Sequence, residues 1–259
     1  MLRSIEVLLT PAEFAVLPQR DLRQTVCVVF DVLRATSTML TALANGASAV
    51  LPVTDIAEAL AIRQKQPDVL LAGERNGLPI RAAQTGGVDF DLGNSPREFT
   101  SDRVKDRIIV TTTTNGTRAL RACAAAKTTL IGAFLNLDAL GRWLDGAQPQ
   151  DLLFIGSGTF DQMAYEDALA AGALADRIWP ADPQVRIADS ALMVRQLYRL
   201  AQANLADALE HSRNGRRLLA IPELRDDVRF CSQRDTLSFV AILQSDGAIR
   251  RNDRSSANS

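Results

Sequence analysis

Apolar residues gather along this chain in short runs, at residues 26–30, 108–110 and 152–155, each rich in β-branched or aromatic side chains. A polar loop and then an alanine-rich helical stretch follow each run. This rhythm predicts an α/β fold with a mainly parallel sheet covered by helices on both faces, a three-layer α/β/α arrangement. Side chains able to cap orphan amide groups mark helix starts at Thr10 with Glu13, at Asp55 with Glu58, and at Asn136 ahead of Leu137. The pattern repeats, because residues 28–60 align without gaps on residues 108–140, both reading strand, polar loop, helix, strand, capped helix. Few side chains are identical between the copies, so shared architecture accounts for the match as well as duplication does. A looser third instance, Phe154-Ile155-Gly156-Ser157-Gly158-Thr159, leads into a helix carrying Glu166 and Asp167. Three polar loops at strand ends are thus predicted to converge on one crevice, where open α/β sheets bind ligands.

With 259 residues, 47% of them apolar, the chain is long enough for a full core. A single domain is expected over residues 1–249, with the polar, aperiodic residues 250–259 as a disordered tail. Acidic and basic residues nearly cancel, 30 against 29, so no field of one sign points to nucleic acid, and a small ligand is the better default. The three cysteines, Cys27, Cys123 and Cys231, are odd in number and far apart, which argues against a disulfide framework or a zinc site. Glu6 stands where a signal peptide needs an apolar run, and no segment reaches the length of a membrane span. A cytoplasmic protein free of membrane contact is expected. Its alanine-rich helices permit a homo-oligomer without specifying one.

Candidate chemistry concentrates in the loops. Thr111-Thr112-Thr113-Thr114-Asn115-Gly116-Thr117-Arg118 packs five hydroxyls, an amide and a guanidinium between a strand and a helix, a donor density that suits phosphate or carboxylate. It lacks the lysine and glycine spacing of a nucleotide P-loop, so a nucleoside triphosphate is not implied; the plainer account is a threonine-rich cap. Asp31 ends an apolar strand and Arg34 follows it, which sets a carboxylate and a cation where a metal and a phosphate can meet. No second aspartate stands two residues on, so the nucleophile of haloacid-dehalogenase phosphatases is not matched. Gly73-Glu74-Arg75-Asn76-Gly77 and Asp91-Leu92-Gly93-Asn94-Ser95-Pro96 read locally as turn-rich reversals. Glu166 and Asp167 lie about 100° apart around their helix. Only one is therefore expected to face a ligand, with Glu166 the choice and a solvated helix face the alternative. The sole histidine, His211, sits in the charged stretch Glu210-His211-Ser212-Arg213 and reads as a surface residue. With no histidine near the loops, proton work falls to carboxylates or metal-bound water, which favours metal-assisted hydrolysis over a serine–histidine mechanism.

Taken in order, Asp31-Val32-Leu33-Arg34-Ala35-Thr36-Ser37-Thr38, Gly73-Glu74-Arg75, Asp91-Leu92-Gly93-Asn94-Ser95-Pro96 and Thr112-Thr113-Thr114-Asn115-Gly116-Thr117-Arg118-Ala119-Leu120 resemble the motifs of the 2-phosphosulfolactate phosphatases. The likeness continues through Gly132-Ala133-Phe134-Leu135-Asn136, the segment from Glu166 to Ala173, Gly215-Arg216 and Asp227-Val228-Arg229-Phe230-Cys231. The resemblance implies a three-layer fold, dependence on Mg2+, and hydrolysis of phosphate esters of 2-hydroxy carboxylic acids, with 2-phosphosulfolactate of coenzyme M biosynthesis as the named substrate. On it, Asp31, Glu74 and Glu166 are expected to gather magnesium, and Asp31, Arg34 and Glu166 to carry catalysis. Thr36, Ser37, Arg75, Asn94, Ser95, Thr112, Thr113, Thr114, Asn115, Gly116, Thr117 and Arg118 are the expected substrate contacts. The chain departs from the pattern at Gly156-Ser157-Gly158-Thr159-Phe160-Asp161 and over residues 81–87, so substrate shape is expected to differ near Phe160. Phosphoryl transfer to another acceptor, and metabolite binding without catalysis, are the competing functions.

Overall fold

Eleven strands form one sheet in the computed structural model, which describes residues 2–253. They are β1 (Ser4–Leu8), β2 (Thr25–Phe30), β3 (Ala49–Pro52), β4 (Leu70–Arg75), β5 (Leu78–Pro79), β6 (Ile108–Thr112), β7 (Thr128–Gly132), β8 (Asp151–Gly156), β9 (Arg186–Ile187), β10 (Val240–Leu243) and β11 (Ile249–Asn252). Their order across the sheet is β5-β4-β6-β3-β11-β10-β7-β2-β8-β1-β9. The apolar runs of the sequence are the centres of β2, β6 and β8. Every residue of β2 is buried, as a strand covered on both faces requires.

Alternate residues of β2 serve two separate cores. Val26, Val28 and Phe30 pack with the Leu137–Ala147, Tyr165–Arg177 and Asp189–Ala201 helices, whereas Cys27 and Val29 pack with Met39, Leu40 and Leu120 from the other layer. This division makes the fold a three-layer α/β/α structure. A smaller third core joins Val53, Leu71, Val110, Ile80 and Phe90 near the β4 edge. All three cysteines are buried and free.

The repeat seen in the sequence has a spatial counterpart. The first copy supplies β2 and β3, the second β6 and β7, and each strand pairs in parallel with a strand of the other copy: β2 with β7, and β3 with β6. Between the two pairs lies the β10–β11 hairpin, antiparallel to β7 on one side and to β3 on the other. Three successive antiparallel pairings set β3 and β7 in opposite sense, as a twofold relation between the copies demands.

Several expectations are corrected. Residues 250–252, expected in a disordered tail, form part of β11, because Ile249 is buried and the hairpin needs a full partner for β10; residues 254–259 lie outside the described residues. Thr10 and Asp55 cap their helices as expected. Asn136 occupies its cap position, but its side chain turns back, accepting from the Ala133 amide and donating to the Ile131 carbonyl. Residues 81–87 hold the short Ala82–Thr85 helix, closed by Gly86 and Gly87, both with positive φ. Gly172 of the Tyr165–Arg177 helix faces another helix. A Cβ there would stand 2.1 Å from the Val194 carbonyl oxygen on the Asp189–Ala201 helix.

Candidate active site

The loops leaving β2, β6 and β8 meet beside the turn that follows β4. Asp31, Arg34, Glu74, Asn94, Thr114, Asn115, Thr159, Phe160, Asn214 and Arg217 are among the residues lining a cavity of about 70 Å³ that opens to solvent.

Backbone bonds lock the loops together. Ser157 donates to the Phe30 carbonyl oxygen through both its amide and its hydroxyl. Asp167 accepts the Val32 amide at 2.8 Å and the Gly158 amide at 3.3 Å, and so ties the first helical turn to two of the loops. Glu74 does the same for the other side: Oε1 accepts the Thr114 amide and hydroxyl at 3.0 and 2.9 Å, and Oε2 accepts the Gly77 amide at 2.6 Å. Asn76 and Gly77, both with positive φ, make the tight reversal between β4 and β5 that the sequence suggested.

Gly116 lets the β2 and β6 loops touch. A Cβ there would stand 2.9 Å from Asp31 Oδ2, 3.0 Å from Ala35 Cβ and 3.3 Å from Thr113 Oγ1. Asp31 Oδ1 accepts the Ala35 amide at 3.2 Å, and the Asp31 amide donates to Thr36 Oγ1. Ser37 donates to the Val32 carbonyl, so Thr36 and Ser37 shape the loop from within. Arg34 is buried and paired with Asp227, 2.7 Å away on the Arg225–Cys231 helix, and its other arm donates to the Gly77 carbonyl. Ser95 donates to the same aspartate, and the Asn94 carbonyl accepts from Thr38. Arg75 bonds Thr112, whereas Arg118 pairs with Asp161 at the surface.

Glu166 and Asp167 are both buried, which removes the solvated-face alternative. They divide as their angular separation requires. Asp167 is consumed by the loop amides, while Glu166 Oε1 accepts from Asn214 at 2.5 Å and Oε2 has no partner. Thr113 Oγ1 and Thr117 Oγ1 are likewise buried and unpartnered.

Burial raises the proton affinity of three acid groups here. Burial pushes the Asp31 carboxyl up to about 7; the Ala35 amide opposes the shift, and the nearby Glu74 and Glu166 charges add to it. Burial also raises Glu166, against the bond from Asn214, and raises Asp167 further, with the Asp31 and Glu166 charges adding to it.

Among the described residues no three His, Cys, Asp or Glu side chains are arranged to hold a metal ion by themselves. Glu74 is spent on the Thr114 and Gly77 loops. The donor set that suits magnesium is smaller, the Asp31 carboxylate and the free oxygen of Glu166, with ligand and water oxygens to complete an octahedron. The cation that acts on Asp31, Arg34, already serves Asp227, and the one that acts on Glu166, Arg213, donates to the Thr159 carbonyl, so the two carboxylates fit a divalent ion in both charge and hardness.

Asn214 and Arg217 did not stand out in the sequence, and Asp227 did so only within a family motif, with no role attached to it. Asn214 joins Glu166 to the Thr159 hydroxyl, donating to the latter at 2.8 Å. Its signal was the density of polar residues around the Ser212 cap, where Ser212 Oγ accepts the Gly215 amide. His211 is exposed, bonded to the Asp207 carbonyl.

No helix among the described residues is long and apolar enough to cross a membrane. The sequence profile of the family described as 2-phosphosulpholactate phosphatase matches residues 13–246. A protein of Symbiobacterium thermophilum named probable 2-phosphosulfolactate phosphatase is 40% identical over 227 residues, covering 87% of this chain and 94% of its own. Proteins of the same name from Pseudothermotoga lettingae and Caldanaerobacter subterraneus are 38% and 35% identical, over 91% and 89% of this chain and 96% and 92% of theirs.

Proposed function

The chain belongs to the 2-phosphosulpholactate phosphatase family, and from that we propose that it is a phosphoric monoester hydrolase releasing phosphate from 2-phosphosulfolactate and related esters of 2-hydroxy acids. The observation that supports placing the reaction here is a pair of buried oxygens without partners: Thr113 Oγ1, which faces Gly116 beside Asp31, and Glu166 Oε2, on a side chain bonded to the pocket-lining Asn214. Buried polar atoms are nearly always satisfied, so two of them beside this pocket mark where a ligand belongs.

The Thr113 and Thr117 hydroxyls donate to the phosphoryl oxygens, and Arg34, held by Asp227 and Gly77, presents its charge to the same group. Asp31 and Glu166 hold magnesium, with Asn214 fixing the Glu166 carboxylate through Oε1. When bound, magnesium supplies positive charge to offset that gathering on phosphorus oxygens as the ester bond breaks. Asp167 and Glu74 keep the loops in register and leave the reacting atoms to the others. Hydrolysis joins a water oxygen to phosphorus, breaks the P–O ester bond and returns a proton to the 2-hydroxyl.

Phosphate release from 2-phosphosulfolactate, 2-phospholactate, phosphoglycolate and a simple alkyl phosphate, with magnesium and with chelator, tests the proposal. Release should favour the 2-hydroxy-acid esters and fall at least about tenfold with chelator. Tight binding of these esters without release of phosphate from any would make the protein a metabolite binder instead.

A further inference from the structure

Two guanidinium groups line the pocket, and their situations differ. Arg34 is engaged by Asp227 and Gly77. Arg217, half-buried on the Arg213–Leu219 helix, has no carboxylate or carbonyl partner among the described residues. Its neighbours do have such partners: Arg213 donates to the Thr159 carbonyl, and Arg216 to the His211 carbonyl.

Arg217 is nonetheless held in place. Its Cζ lies 5.7 Å from the centre of the Phe160 ring, close enough for a cation–π contact. On its other side is Gly77, where a Cβ would stand 3.8 Å from Cζ. Phe160 itself is 58% exposed, on a turn in which Gly158, Phe160 and Asp161 all have positive φ. An aromatic face supports the cation without neutralising it, and leaves the N–H edge of the fork for another group.

A substrate of the proposed class carries, besides its phosphate, a carboxylate, a sulfonate or both. The Asp31 and Glu74 carboxylates that line the pocket repel them. We infer that Arg217 binds the non-reacting acid group of the substrate, an oxyanion on the carbon skeleton next to the phosphate-bearing carbon, and so selects acidic esters over plain ones. This rests on the proposed function for its substrate class.

The test uses binding of three product-like acids to the full chain with magnesium, by calorimetry: 3-sulfolactate, lactate and 2-hydroxyethanesulfonate, for the wild type, Arg217→Gln and Arg217→Lys. If Arg217 takes the sulfonate, Arg217→Gln weakens 3-sulfolactate and 2-hydroxyethanesulfonate about ten- to a hundredfold and spares lactate. If it takes the carboxylate, 3-sulfolactate and lactate weaken and 2-hydroxyethanesulfonate is spared. Arg217→Lys should recover part of the loss, since it keeps the charge and loses the fork. Equal loss for all three acids, no loss for any, or no binding of any by the wild type overturns the inference. Arg217-dependent binding by a wild type that hydrolyses no ester would overturn the phosphatase proposal and leave this one standing. Hydrolysis of 2-phosphosulfolactate with acid binding indifferent to Arg217→Gln would do the reverse.

Discussion

Burial lifts the Asp31 carboxyl to about 7, and an ordinary aspartate titrates near 4, so the folded metal-free protein binds a proton there that the unfolded chain releases. Between those values folding takes up a proton, and this contribution to stability is fully present at low pH and lost as pH rises towards 7. Metal-free protein should therefore show a thermal midpoint that falls between pH 4 and pH 7, a slope that Asp31→Asn flattens. Magnesium should raise the midpoint more at pH 8 than at pH 5. In turnover, Asp31→Asn should cost at least about a thousandfold in kcat with the circular dichroism spectrum unchanged. Asp227 makes a different prediction, because it is wholly buried against Arg34. Asp227→Ala leaves a guanidinium without its partner and should cost about 3–5 kcal/mol in urea unfolding, with activity lost as well. At this scale the sequence was legible where chemistry is dense locally: the threonine-rich loop, Asp31 and Glu166 come together as their motifs suggested. It was not legible for Asn214 or Arg217, nor for the role of Asp227 inside its motif. Their meaning comes from partners 48 or more positions away, Glu166 for Asn214 and Arg34 for Asp227, and no local pattern encodes such distances.

Periodicity located the central strands because a strand buried on both faces must be apolar throughout. It located helices less well where their packing was not against the sheet. Gly172 is such a case, chosen by close approach of two helices rather than by any turn. Gly172→Ala would press a Cβ into the Val194 carbonyl at 2.1 Å and force the helices apart. A loss of about 1–3 kcal/mol is expected, visible as a lower thermal midpoint, while the pocket keeps its activity at low temperature. Gly116→Ala should do the opposite, stopping turnover more than it unfolds the chain, since its added methyl would meet Asp31 Oδ2 at 2.9 Å. Polar edge strands were the least visible elements. Residues 250–252 offer only charged and amide side chains, and backbone pairing with β10, which side-chain pattern does not reveal, makes them a strand.

Across the whole molecule, the two copies of the strand–helix unit each complete the other's sheet, and the β10–β11 hairpin joins the halves. The β2 and β6 loops, equivalent in the two copies, meet at one pocket, where Gly116 touches Asp31 and Ala35. A chain ending before Val240 would leave β3 and β7 as bare edges, and size-exclusion chromatography should show it aggregated. The same interleaving has a consequence for the order of synthesis. A ribosome exposes Asp31 and its strand early, but the strands that flank β2 arrive only with residues 128–156, Asp227 later still, and the joining hairpin last of all. Until then neither half of the sheet has its neighbours, so the pocket comes into being only once the hairpin has emerged, and a nascent chain stalled before Val240 is a ward for chaperones rather than a slow enzyme.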